Sequence, residues 1–116
     1  MNALGKYLQQ FPGFTNEAYE CALPYLTEKT LQADDYLLRL GKVAKHIAFV
    51  EKGLFRQYYL HDGKEITECF CRENTITTSY KSLITQEPSE IAIQAVEESK
   101  IILFSSNRQL SLKLEF

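Results

Sequence analysis

Cysteine is scarce in this chain of 116 residues, with three present at positions 21, 69 and 71. An odd, small number makes no disulfide framework and fits a reducing compartment, so a cytoplasmic location is expected. Cys69 and Cys71 lie two apart and share a strand face, where they read as small apolar residues that do not bridge each other. Histidine is scarcer still, with only His46 and His61. Metal-holding barrel enzymes need paired histidines one residue apart and a carboxylate, a pattern missing here. Both histidines are therefore expected on the surface and no metal is expected. Long apolar runs are absent, since nothing approaches the ~20 residues that cross a bilayer. The chain does not open on a basic stretch followed by an apolar one, so no secretion signal is read. A charge excess is lacking too. Thirteen basic residues stand against fifteen acidic ones, a net −2 that leaves no electrostatic footprint for nucleic acid. Nor is there a Gly-x-Ser-x-Gly, a P-loop, a Gly-x-Gly-x-x-Gly or an arguable Ser-His-Asp spacing. No enzymatic activity and no cofactor are expected.

What is present is an ordinary globular composition, 45% hydrophobic and 24% charged, in a length that suits one domain with one core. Its centre is Ile47 to Cys71, IAFVEKGLFRQYYLHDGKEITECFC. This reads as a strand, a break at Gly53, a second strand, a tight turn at His61-Asp62-Gly63 and a third strand. Asp-Gly between runs rich in Phe, Tyr, Ile and Thr is a strong hairpin signal, because the turn needs positive φ. Val50, Phe55, Tyr58, Tyr59, Ile66 and Phe70 suit a half-buried pleated surface.

Before this centre, Asn2 to Gln10 and the stretch after Thr15 carry helical spacing, and Pro24 shortens the second helix. Thr27 to Gln32 and Tyr36 to Leu40 alternate around a turn at Asp34-Asp35. After the centre, Arg72 to Glu87 is polar and reads as a loop with a helical turn near Ser79 to Ile84. Ser89 to Val96 and Ile101 to Phe104 read as strands, and Asn107 caps a last helix carrying Leu110, Leu112 and Leu114. Helices, about eight short strands and a helix predict a mainly β fold with flanking helices, an antiparallel barrel or jelly roll. Glu97-Glu98 reads as a solvated loop, and Arg56 as part of an exposed strand face, with pairing to a neighbouring carboxylate as the alternative.

The run from Gly41 through His46-Ile47-Ala48-Phe49-Val50-Glu51-Lys52-Gly53, then Arg56, Tyr58-Tyr59 and Asp62-Gly63-Lys64-Glu65-Ile66, resembles the sensor domain of Crp/Fnr-type regulators. The resemblance implies a cyclic-nucleotide-binding-like jelly roll (a double-stranded β-helix) over residues 27–105. N-terminal helices would occupy 1–26, and 106–116 would start a dimer helix carrying Leu110, Leu112 and Leu114. It further implies a role in transcription control and a homodimer paired through that helix. The DNA-reading part of such regulators would follow the helix, so it is expected to be absent from this chain. No nucleic-acid contact and no membrane contact are expected from these residues alone.

In the family, a Gly-Glu-Leu triplet and an Arg-Ser-Ala triplet hold the cyclic phosphate. The matching places here are Thr78-Ser79-Tyr80 and Ser89-Glu90-Ile91, and no arginine occurs between Arg72 and Arg108. A buried phosphate needs a guanidinium that bonds two oxygens and a backbone that approaches closely. The expectation is a sensor with a degenerate cassette that does not bind cAMP. By resemblance its pocket is placed at Thr78, Ser79, Tyr80, Ser82, Ser89, Glu90 and Ile91. Either an unknown small-molecule effector enters there, or those polar groups satisfy the loop itself and the domain is a ligand-free dimerisation module.

Overall fold

The computed structural model of the chain describes residues 26–105, preceded by the single positions Lys6, Gln10, Glu17, Glu20 and Pro24. The expected N-terminal helices, Cys21 and the dimer helix with Leu110, Leu112 and Leu114 otherwise lie outside the described residues.

Eight strands and one helix make up the described part: β1 (Leu26–Leu31), β2 (Tyr36–Leu38), β3 (His46–Lys52), β4 (Phe55–His61), β5 (Lys64–Cys71), β6 (Ile76–Thr77), α1 (Tyr80–Thr85), β7 (Ala92–Ala95) and β8 (Ser99–Ser105). They form two four-stranded sheets, in the orders β1-β8-β3-β6 and β2-β7-β4-β5. All pairings are antiparallel. Chain neighbours mostly sit in opposite sheets, so the chain crosses from one layer to the other as it winds. This is the antiparallel jelly roll expected from the strand pattern.

The β4–β5 hairpin closes through Asp62 and Gly63, at φ 52° and 78°. Positive φ at both central residues matches the right-handed strand twist. Gly53, at φ +110°, turns β3 into β4 against buried Ser99, where any Cβ would meet the Ser99 Cα at 2.7 Å. Only glycine fits both the conformation and the space.

The core lies between the sheets. Leu31, Ala48, Val50, Phe55, Cys71, Ile93, Ala95 and Ile101 are buried there, flanked by Leu37, Leu38 and Leu103. Alternation explains this set, since Ala48 and Val50 share one face of β3. The outer sheet departs from expectation at three residues. Tyr59, Ile66 and Phe70 are exposed rather than half-buried, because the Tyr59–Ile66 pair lies beyond the end of β7, which reaches only Phe55–Tyr58 of β4, and Phe70 is on the edge strand β5. Cys69 is exposed as well, while Cys71 is buried; both are free thiols.

Arg56 also corrects its reading. It is not a bare strand-face residue. Its Nη2 donates to Glu65 Oε1 at 2.6 Å and to Gln94 Oε1 at 2.7 Å, and its guanidinium covers the Tyr58 ring at 4.4 Å. The pairing is cross-strand, because Arg56 stands between β5 and β7 in the middle of its sheet.

Candidate functional site

A cavity of about 280 Å³ opens where α1 and its two flanking loops close over the β4–β5 sheet. All seven residues placed by resemblance line it: Thr78, Ser79, Tyr80, Ser82, Ser89, Glu90 and Ile91. Gln57, Glu68, Lys81, Thr85, Glu87 and Pro88 complete the wall.

Local structure explains how each arrives. β6 ends at Thr77, and the buried Thr78 hydroxyl donates to the His46 carbonyl at 2.8 Å, tying the loop to β3. Ser79 takes extended geometry as the N-cap of α1, with no side-chain capping bond. Gln86 closes the helix in left-handed geometry at φ 58°. Its side-chain amide donates to the Leu83 and Ala44 carbonyls at 2.7 and 3.2 Å. Glu68 reaches the cavity through a bulge. The register steps from Gln57↔Cys69 to Tyr58↔Thr67, which leaves Glu68 without an opposite residue.

The buried hydroxyls of Thr78, Ser82 and Ser89 are already engaged. Ser82 Oγ accepts from the Ala44 amide at 2.8 Å and donates to the Glu87 carbonyl at 2.5 Å. Ser89 Oγ closes a turn with the amide and carbonyl of Ile91. Gln57 Nε2 donates to Thr77 Oγ1 at 2.8 Å. No buried side-chain nitrogen or oxygen among the described residues lacks a partner.

Charge runs against an anion. Glu68, Glu87 and Glu90 line the cavity with Lys81 as the single cation, and Lys81 Nζ already lies 3.7 Å from Glu90 Oε1. Cys69, beside Glu68, has its thiol pushed above the usual range by partial burial first, then by Cys71 and Glu68. It is therefore held as a neutral thiol, a weak nucleophile. Among the described residues no three His, Cys, Asp or Glu side chains gather as a metal site. His46 and His61 are both exposed. No helix among them is long and apolar enough to cross a membrane.

The sequence profile of the cyclic nucleotide-binding domain matches residues 28–113. The chain belongs to the cyclic nucleotide-binding domain family. Solved structures agree on the fold. The regulatory domain of Toxoplasma gondii protein kinase A with cAMP superposes at a TM-score of 0.83, with 16% identity, over 97% of this chain and 43% of that one. The sensor domain of the transcriptional regulator DNR from Pseudomonas aeruginosa gives 0.80 and 19%, over 95% and 75%. A regulatory subunit of a cAMP-independent protein kinase A from Trypanosoma brucei gives 0.80 and 14%, over 95% and 39%. The chain thus spans about two fifths of either kinase protein. No curated protein matches the sequence.

Within this cyclic nucleotide-binding domain, Gln57, Glu68, Lys81, Thr85, Glu87 and Pro88 are wall residues that sequence reasoning did not place. Lys81, Thr85, Glu87 and Pro88 lie inside the predicted segment and needed only the helix boundaries. Gln57 and Glu68 come from the opposite hairpin, and the bulge that turns Glu68 inward has no local signature.

Proposed function

We propose that this domain is a regulatory sensor module of the Crp/Fnr-like kind whose phosphate cassette has lost its anion anchor, so that it does not bind cAMP usefully. It is not an enzyme, acts in the cytoplasm, and belongs to a dimeric regulator paired through the segment after Ser105. The observation that carries this reading is the cavity's charge: three glutamates against one lysine, and no arginine. An arginine ~5 Å from a bound phosphate contributes ~3 kcal/mol at an effective dielectric near 20, and a carboxylate in that place reverses the sign. Thr78 adds a β-branched side chain where the family has a glycine that lets the phosphate approach the backbone. One neighbour of the same fold is described as cAMP-independent and another holds cAMP, so the fold leaves the choice to the cassette.

Isothermal titration tests this. No saturable heat is expected from cAMP, and low-micromolar binding would sink the proposal.

A specific observation favours the second reading, a ligand-free interaction module. Ser82 and Ser89 spend their hydroxyls on the loop backbone and Thr78 on the start of β3, which leaves few free groups to greet a ligand. Thermal-shift screening against nucleotides and metabolites separates the two. A saturable rise in melting temperature supports the sensor, and silence across the panel supports the interaction module.

A further inference from the structure

A second cavity, of about 310 Å³, shares Thr78 with the first but has the opposite electrostatic character. Arg39, Lys42, Lys45 and His46 line it, and no carboxylate does. None of the three long cations has an ion-pair partner among the described residues. Its floor is apolar, with Leu38, Val43, Ala44 and Ile93. On one side the Arg39 guanidinium rests over the Tyr36 ring at 4.4 Å. The Tyr36 hydroxyl is in turn fixed to Tyr58 at 2.7 Å.

We propose that this cavity binds a small organic anion with an apolar body, its acidic head a phosphate ester or a carboxylate. Several positive charges around one concave mouth focus the field and raise the local concentration of anions. Arg39 is pre-oriented by its ring contact, and a guanidinium held this way offers paired donors to a planar carboxylate or to two phosphate oxygens. The apolar floor supplies what a bare inorganic ion cannot use, and the volume suits a small molecule rather than a polymer. The loop is also held in shape without a ligand. The Gly41 amide donates to the Ser89 carbonyl at 2.9 Å, and the Ser89 amide to the Lys42 carbonyl at 2.8 Å. The site is thus pre-formed, which lowers the ordering cost of binding. This inference does not rest on the reading of the acidic cavity, and either can fail alone.

The test is calorimetric titration of the full 116-residue chain with phenyl phosphate, benzoate, inorganic phosphate and benzyl alcohol. Phenyl phosphate or benzoate should bind saturably at one site, and the tighter of the two names the acidic head. Inorganic phosphate and benzyl alcohol should each bind at least about tenfold more weakly, since each lacks half of the recognised chemistry. A Lys42→Glu/Lys45→Glu double variant should lose about tenfold or more, and Arg39→Gln several-fold. All three side chains are exposed, so the substitutions leave the core intact, which a melting curve verifies. Glu90→Gln, in the other cavity, should leave binding unchanged. The proposal falls if neither aryl acid gives saturable heat. It also falls if benzyl alcohol or inorganic phosphate binds as well as they do, or if the charge-reversed variant binds like the parent.

Discussion

The two cavities make the sharpest contrast in the molecule. They meet at Thr78 and draw on one sheet, the basic one on β2 and β7 and the acidic one on β4 and β5, yet one is ringed by Glu68, Glu87 and Glu90 and the other by Arg39, Lys42 and Lys45. The sheets do not make the difference. The loops do: the β2–β3 loop brings the bases, while the α1–β7 loop and one bulge bring the acids. The loops are also sewn together. Val43 bridges Pro88, Gly41 and Lys42 bond to Ser89, and Ser82 clamps Ala44 to Glu87. A rigid roll can therefore carry two adjacent fields of opposite sign, because surface loops vary freely while the frame beneath them is fixed by packing.

If the frame is common to both cavities, breaking it should disturb both. Gly53→Ala is expected to have the largest effect. A Cβ there meets Ser99 backbone and side chain, at a φ of +110°. Strain and overpacking together are expected to cost about 3–5 kcal/mol. Chemical denaturation should show it as a lowered midpoint. Next comes the strut between the cavities. Ser82→Ala leaves the buried Ala44 amide without its acceptor, and should cost about 2 kcal/mol. Hydrogen exchange at Ala44 should speed up. If it does not, the cavities are not mechanically joined through Ser82.

The basic cavity has a marker of its own. Tyr58 is buried, and its phenol is pushed from 10.0 to about 12, by that burial first and then by the hydrogen bond and negative charge of Tyr36 and by Glu65, with Arg56 opposing. The folded state therefore keeps a proton that the unfolded chain loses near pH 10. Its contribution to stability is intact below pH ~10 and is lost as pH rises to ~12, up to about 2 kcal/mol. Urea midpoints at pH 9 and 11.5 should show the fall, and Tyr58→Phe should reduce it. An unchanged slope would mean that the tyrosine pair does not hold Tyr36 in place.

The legibility of the two regions differs for the same physical reason. The β4–β5 hairpin and the break between β3 and β4 are readable because Asp62-Gly63 and Gly53 act locally, through φ. The seven residues Thr78 to Ile91 are placed by the family resemblance, and they meet around one cavity because they belong to one continuous segment. Gln57 and Glu68 were not foreseen, since non-local pairing and a register shift deliver them. A carboxylate partner for Arg56 is the less favoured reading of the sequence, and its identity as Glu65 depends on which strands become neighbours. The basic cavity did leave a signal: four basic residues and no acid from Arg39 to His46. Nothing local marks that run as a site, because Ile93, from a strand some fifty residues away, supplies part of its floor.

The smallest expected effect tests how strong the acidic field is. Lys81 and Glu90 are 3.7 Å apart with side chains 70% and 80% exposed. An exposed pair of that length contributes little, because water screens it and two long side chains lose freedom to form it. Lys81→Ala should therefore shift stability by less than about 0.5 kcal/mol in urea melts, at low salt as at high. A loss above about 1 kcal/mol, vanishing in salt, would mean that Glu68, Glu87 and Glu90 repel one another strongly enough to need Lys81 as their counter-charge. The cavity would then be a tightly coupled acidic site rather than three solvated carboxylates around a closed loop. An anion entering the cavity would then meet a stronger repulsive field than exposure alone suggests.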